Sequence, residues 1–191
     1  MKQHQLAATV AVSLGLVFTA VAQTQPSSQT GKATQTNSAN RMKGSDDSFV
    51  TKAAQGGLAE VELGQLAVQK ATNPKVKEFG QKMVDDHTKA NDELKAIAGQ
   101  KGLTMPTQAD SKSESTKNKL SNLSGAAFDR AYMQDMVSDH KTDVSEFQKE
   151  ADKGTDPEVK AFASKTLPTL QQHLQLAQET LNEVKIGGTA K

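Results

Sequence analysis

Three histidines and one glutamate are the residues whose types and spacing could do chemistry together. His4 lies in a segment expected to be removed, which leaves His87, His140 and His173. On a helical wheel, at about 100° per residue, each of the three lies on the apolar stripe of its predicted helix, and Glu60 lies on the stripe of a fourth. Imidazole nitrogens and carboxylate oxygens bind metal ions. The pattern therefore predicts one inward-facing metal ligand per helix.

The distances of these side chains from the predicted turns indicate two pairs, and the two members of each pair are expected at the same height along the helix axes. Glu60 and His87 each lie 13–14 residues from the first turn, and His140 and His173 each lie 16–17 residues from the second. Residues equally far from a short turn lie opposite each other in an antiparallel helical pair. Each hairpin is therefore expected to contribute one level pair.

Three imidazoles and one carboxylate suit a single divalent ion, and we consider Zn, Fe and Mn, with Ni and Cu also compatible. Spacing does not select among them. A metal-free alternative stays open, in which Glu60 pairs with protonated histidines in a buried network that fixes helix register. Asp86, Asp139 and Asp143 lie close enough in sequence to orient the imidazoles, although solvated charge is the preferred interpretation of all three.

Composition restricts the protein to one domain without thiol chemistry. The 191 residues include 23 basic and 22 acidic side chains, so the net charge of +1 argues against nucleic acid as a partner. There is no cysteine, which excludes disulfides, iron–sulfur clusters and thiolate zinc sites. Any metal must use His, Asp or Glu.

The first part of the chain reads as an export signal followed by a spacer. Lys2, the apolar residues 6–21 and the small-residue pattern Ala20-Val21-Ala22 predict a signal peptide over 1–22. Residues 23–46 are polar with little to bury and are expected to be a disordered spacer. We expect a periplasmic or secreted protein with no stable membrane insertion after cleavage of the signal.

Helical periodicity predicts one domain over 47–185 and a flexible tail over 186–191. The four long helices are expected over residues 49–72, 74–98, 126–152 and 157–184, with a crossover over 103–125 that holds a short helix around 113–123. The turns Asn73-Pro74 and Asp156-Pro157 begin similar segments, which indicates an internal repeat of two hairpins. The predicted fold is an all-α, ferritin-like antiparallel four-helix bundle with one long crossover between its second and third long helices.

Four segments carry a resemblance to a known family: AQGGLAEVELG at 54–64, MVDDH at 83–87, MVSDH at 136–140 and TLPTLQQH at 166–173. Over residues 49–181 the sequence resembles the secreted bacterial family DUF 4142 of the ferritin-like superfamily. The resemblance implies the fold and an envelope location, and it implies no particular activity. Val84, Val137 and Leu170 stand where Glu-x-x-His motifs of di-iron proteins would have a carboxylate, which argues against a di-iron centre.

Two functions from different classes follow from these features, and no catalytic residue is predicted. The first is an envelope protein that binds one metal ion through Glu60, His87, His140 and His173. The second is a metal-free stress or interaction module with an envelope protein partner, in which the polar cluster only specifies packing. A carrier of a small ligand is a weaker third option. The sequence does not indicate the oligomeric state.

Overall fold

The computed structural model describes residues 44–187, and all regular secondary structure within this range is helical. The helices are α1 (Gly44–Lys70), α2 (Pro74–Gln100), α3 (Ser111–Ser121), α4 (Gly125–Lys153) and α5 (Pro157–Gly187). The all-α class is confirmed for this part of the chain. None of these five helices has the length and apolarity needed to cross a membrane. The predicted signal peptide, spacer residues 23–43 and the end of the tail lie outside the described residues.

The first and last helices extend beyond residues 47–185, the range predicted for the domain. Helix α1 starts at Gly44, inside the predicted spacer, because Asp46 is completely buried and binds the α4–α5 turn. This contact joins residues 109 positions apart and leaves no signal in local composition. Helix α5 continues to Gly187, two residues into the predicted tail.

Two buried aspartates hold the two short turns. Asp129 of α4 accepts hydrogen bonds from the Thr72 hydroxyl at 2.6 Å and from the Thr72 and Asn73 amides at 3.0 and 2.9 Å. Asp46 of α1 accepts the equivalent bonds from the Thr155 hydroxyl and from the Thr155 and Asp156 amides. The predicted repeat of the two hairpins therefore extends to the contacts that join them.

Each long helix runs antiparallel to the two long helices that it contacts. Helices α1 and α2 form one hairpin and α4 and α5 the other, while α2 packs on α5 and α1 on α4. At the α1–α2 crossing a β-carbon on Gly64 would lie 2.6 Å from the carbonyl oxygen of Gly80, so glycine permits this close approach. The connection between α2 and α4 carries α3, which contacts α1 and α4.

The interior consists of two apolar clusters with a polar layer between them. Phe79, Met83 and Met136 belong to the cluster on the side of the α1–α2 turn. Leu94 and Phe147 belong to the cluster on the side of the α4–α5 turn. The polar layer consists of Glu60, His87, His140 and His173, one from each long helix, all at most 7% exposed.

Candidate metal centre

The three histidines meet at the centre of the polar layer. His87 of α2, His140 of α4 and His173 of α5 have ring centroids 5.4–5.7 Å apart. One nitrogen from each ring lies within 4.8 Å of one nitrogen from each of the others. The structure therefore brings together three of the four predicted ligands, from three different helices.

Hydrogen bonds on the outer sides of two rings set their tautomers. His140 Nδ1 lies 3.0 Å from the carbonyl oxygen of Met136, one turn earlier in α4. His173 Nε2 lies 3.0 Å from Oδ2 of Asp86. Because both acceptors are oxygens, these ring nitrogens donate, and the lone pairs lie on His140 Nε2 and His173 Nδ1.

Three buried imidazole nitrogens are left without a hydrogen-bond partner among the described residues. They are His87 Nε2, His140 Nε2 and His173 Nδ1. A buried polar atom without a partner costs free energy, on the order of 1–3 kcal/mol each. A cation bound by these nitrogens in their unprotonated form would remove that cost, so the donor set fits a transition-metal ion.

Burial keeps the three rings neutral. Desolvation, followed by the neighbouring imidazoles His140 and His173, holds the pKa of His87 well below its usual value. Desolvation and His173 lower the pKa of His140 to about 4, against the opposing hydrogen bond with Met136. Desolvation lowers the pKa of His173 in spite of the nearby Asp86. Neutral imidazole is the form that binds metal.

Glu60, the predicted fourth ligand, lies at the edge of the cluster. Its Oε1 is 3.7 Å from Nδ1 of His140, the nitrogen that already faces the Met136 carbonyl, and its Oε2 has no hydrogen-bond partner in the described structure. Burial, followed by Asp143, Asp139 and Asp135, raises the pKa of Glu60 well above its usual range. In this geometry Glu60 lies beside Nδ1 of His140 and not beside its unpartnered Nε2. The role of Glu60 as a metal ligand stays a prediction.

The three flanking aspartates have different surroundings. Asp86 binds His173 and also lies 2.8 Å from the Lys82 ammonium group. Asp139 is half-buried, and its Oδ1 lies 3.8 Å from the Lys112 ammonium group. Burial, followed by Asp139 and Glu146, raises the pKa of Asp143 to about 7. Of the three, Asp86 is the one that forms a hydrogen bond with an imidazole, so an orienting role replaces the interpretation of Asp86 as a merely solvated charge.

Sequence reasoning overlooked Asn91, which borders the histidine layer. It lies one helical turn after His87 and occupies the space above Gly57 of α1. A polar residue four positions after an inward histidine was the available signal, because residues four apart share a helix face.

The fold and the site define an all-α protein with a buried three-histidine cluster. The model of the family "Domain of unknown function (DUF4142)" matches residues 31–180, so the chain belongs to the DUF4142 family. No curated protein matches the sequence. The family assignment made from the four sequence segments is thereby confirmed.

Three solved structures share the fold at low sequence identity. A DUF305 fragment from Deinococcus radiodurans has a TM-score of 0.67 at 16% identity, covering 75% of this chain and 99% of the other. A candidate secreted DUF305 protein from Streptomyces coelicolor has a TM-score of 0.64 at 15% identity, with coverages of 78% and 96%. CopM in its Cu(II)-bound form has a TM-score of 0.58 at 16% identity, with coverages of 72% and 96%.

Proposed function

We propose that this protein is an exported metal-binding domain that holds one divalent transition-metal ion through His87, His140 and His173. The observation that carries the proposal is that three buried, neutral imidazoles each bring one nitrogen within 4.8 Å of the others. Each of these rings also has a buried nitrogen without a hydrogen-bond partner in the described structure. Three imidazoles suit Zn, Cu, Fe(II) and Ni better than Mn or Mg. The Cu(II) in CopM is a reason to include copper among the ions tested.

We include in this proposal a ferritin-like arrangement of the helices and export of the protein from the cytoplasm. Four long helices, each antiparallel to its two neighbours, together with the long α2–α4 connection, support a ferritin-like four-helix bundle with one crossover. The signal-like residues 1–22 and the structural similarity to a candidate secreted protein support export to the periplasm or the medium.

Metal analysis of protein purified without a histidine tag tests the proposal. After exposure to each candidate ion and desalting, we expect one ion per chain. His140→Ala should weaken binding by more than the roughly 10–100-fold that loss of an orienting partner costs, because it removes a ligand. Gln172→Ala, at the exposed neighbour of His173, is the matched control and should bind like the wild type. Wild-type protein that retains none of the ions would refute the proposal.

Glu60→Gln separates the two roles open to that residue. If Glu60 is a ligand, the substitution changes the visible spectrum of the Co(II)- or Cu(II)-loaded protein. If Glu60 acts only through its contact with Nδ1 of His140, the substitution changes only the affinity for the metal.

The Glu60–His140 contact and the Asp86–His173 hydrogen bond favour a second candidate, a metal-free interaction module whose polar layer fixes helix register. It predicts that apolar replacement of all three histidines preserves folding and binding of an envelope partner. The three unpartnered nitrogens favour the metal-binding function over this one.

A further inference from the structure

An apolar pocket of about 510 Å³ opens along the α1–α2 pair beside the connection that follows α2. Leu58, Leu103 and Met105 line it together with Asn91. Its two charged residues, Asp92 and Lys95, have opposite signs, so the lining carries no net charge. The volume is that of a small-molecule site, and the lining favours an uncharged molecule over an ion.

A second, internal cavity of about 20 Å³ borders the histidine cluster. His87, Asp143 and Thr166 are polar groups on its wall, and Phe147 is an apolar one. A cavity of this volume has room for about one water molecule, and the polar groups provide partners for it. A molecule in this cavity would lie against His87, the most exposed of the three histidines at 7%.

Asn91 lines both the pocket and the cavity. Its side chain fits there because residue 57 is glycine: a β-carbon at Gly57 would lie 2.1 Å from Oδ1 of Asn91. No hydrogen bond to another described residue holds the amide in this position. Because Asn91 is the one described residue common to both linings, its half-buried side chain lies between the pocket and the cavity.

We propose that the pocket admits a small uncharged molecule to the histidine cluster, and that the Asn91 side chain is the gate between them. The amide offers a donor and an acceptor to a hydroxyl or carbonyl group of that molecule. That a metal ion would lie at the end of this route rests on the proposed function. The route itself does not.

Acylation of the metal-free protein by diethyl pyrocarbonate, an uncharged reagent for neutral imidazole, tests the route. Because the reagent is larger than the cavity of about 20 Å³, it reaches His87 by this route only when the Asn91 side chain has moved. The rate at each histidine is measured by mass spectrometry of peptides. We expect His87 to react faster than His140 and His173. Asn91→Ala should raise the rate at His87 by about tenfold, as removal of a local opening cost of about 1.4 kcal/mol would do.

Two further variants test whether a change in the acylation rate is specific to the route. Leu58→Trp, which fills the pocket, should slow acylation of His87, and Asn118→Ala, at an exposed asparagine of α3, should leave it unchanged. Circular dichroism confirms folding of each variant. An unchanged rate at His87 in Asn91→Ala, or an equal rise at all three histidines, would overturn the route.

The metal-loaded protein provides the second arm. Association of imidazole with the Co(II) protein, followed by the visible spectrum, should be faster in Asn91→Ala and slower in Leu58→Trp at unchanged Co(II) affinity. If the chain binds no ion, the proposed function fails while the acylation result still decides the route. If an ion binds and neither variant changes imidazole association, the route fails and the metal site stands.

Discussion

Asp86 shows how one surface carboxylate determines the chemistry of a buried ring. It accepts from Nε2 of His173 at 3.0 Å and from Lys82 at 2.8 Å, and Lys89 lies 3.7 Å from its other oxygen. Partial burial acts to raise the pKa of Asp86, but the hydrogen bonds from Lys82 and His173 outweigh it and lower the pKa. An ionised Asp86 keeps the proton of His173 on Nε2 and leaves Nδ1 free for a metal ion.

Replacing this carboxylate tests the orienting role. Asp86→Asn keeps the shape and an acceptor oxygen but removes the charge that makes His173 more basic. We expect metal affinity, measured by competition with a chelator, to fall by about tenfold. Asp85→Asn, at the exposed neighbouring position, serves as the control. Equal affinities of Asp86→Asn and wild type would show that the hydrogen bond does not tune the site.

Sequence periodicity predicted the inward positions of the three histidines because each replaces an apolar residue on a helix stripe. It also predicted that Glu60 faces the interior, where the structure places it. Periodicity does not determine which ring nitrogen is free, because that depends on contacts between helices such as Asp86–His173. The position of Glu60 behind His140 likewise depends on side-chain rotamers and helix depth.

At the scale of the helices, the two turn-binding aspartates explain how the hairpins are joined. Asp129 reaches the α1–α2 turn from α4, and Asp46 reaches the α4–α5 turn from α1. Each carboxylate satisfies two backbone amides and a threonine hydroxyl where a helix begins, a location whose amides otherwise lack partners. Each hairpin therefore depends on the other for the conformation of its turn.

Removing one of these carboxylates should destabilise the fold more than removing an exposed one. Asp129→Ala leaves the amides of Thr72 and Asn73 without their acceptor, and we expect the free energy of unfolding to fall by about 2–4 kcal/mol in urea titrations. Asp152→Ala, at an exposed position of the same helix, should change it by less than about 0.5 kcal/mol. A similar small change in both variants would contradict the structural role of Asp129.

The periodicity of the sequence predicted the four long helices. Local capping residues, Asn73 and Asp156, predicted where α2 and α5 begin. Asn73 caps α2 through the Lys75 amide, as the Asn-Pro sequence predicts. The start of α1 did not follow, since Asp46 is held by a turn far away in the chain. The error at the start of α1 thus falls where a contact between hairpins replaces a local signal.

Across the whole domain, the two apolar clusters desolvate the polar layer and Asp143 beside it, and burial shifts the pKa values of the histidines and of the carboxyl groups in opposite directions. The pKa of His140 is lowered to about 4, so its contribution to stability is present above about 6.5 and is lost as the pH falls toward 4. The pKa of Asp143 is raised to about 7, so its contribution is present below about 3.8 and is lost as the pH rises toward 7. Because these effects oppose each other in the free energy of unfolding, metal affinity is the clearer measure of the histidines.

We expect metal affinity to resist acidification. Protons compete with the ion only when the folded imidazoles become protonated, and all three pKa values lie below the ordinary 6.5. The dissociation constant of the metal-loaded protein should therefore begin to rise only below the pH at which an ordinary imidazole titrates, and should rise further as the pH approaches 4, where His140 titrates. Free imidazole in the same competition assay is the control, because its solvated ring titrates near the ordinary value of about 6.5. A folded protein that loses its ion over the same pH range as free imidazole would show that the apolar clusters do not protect the site.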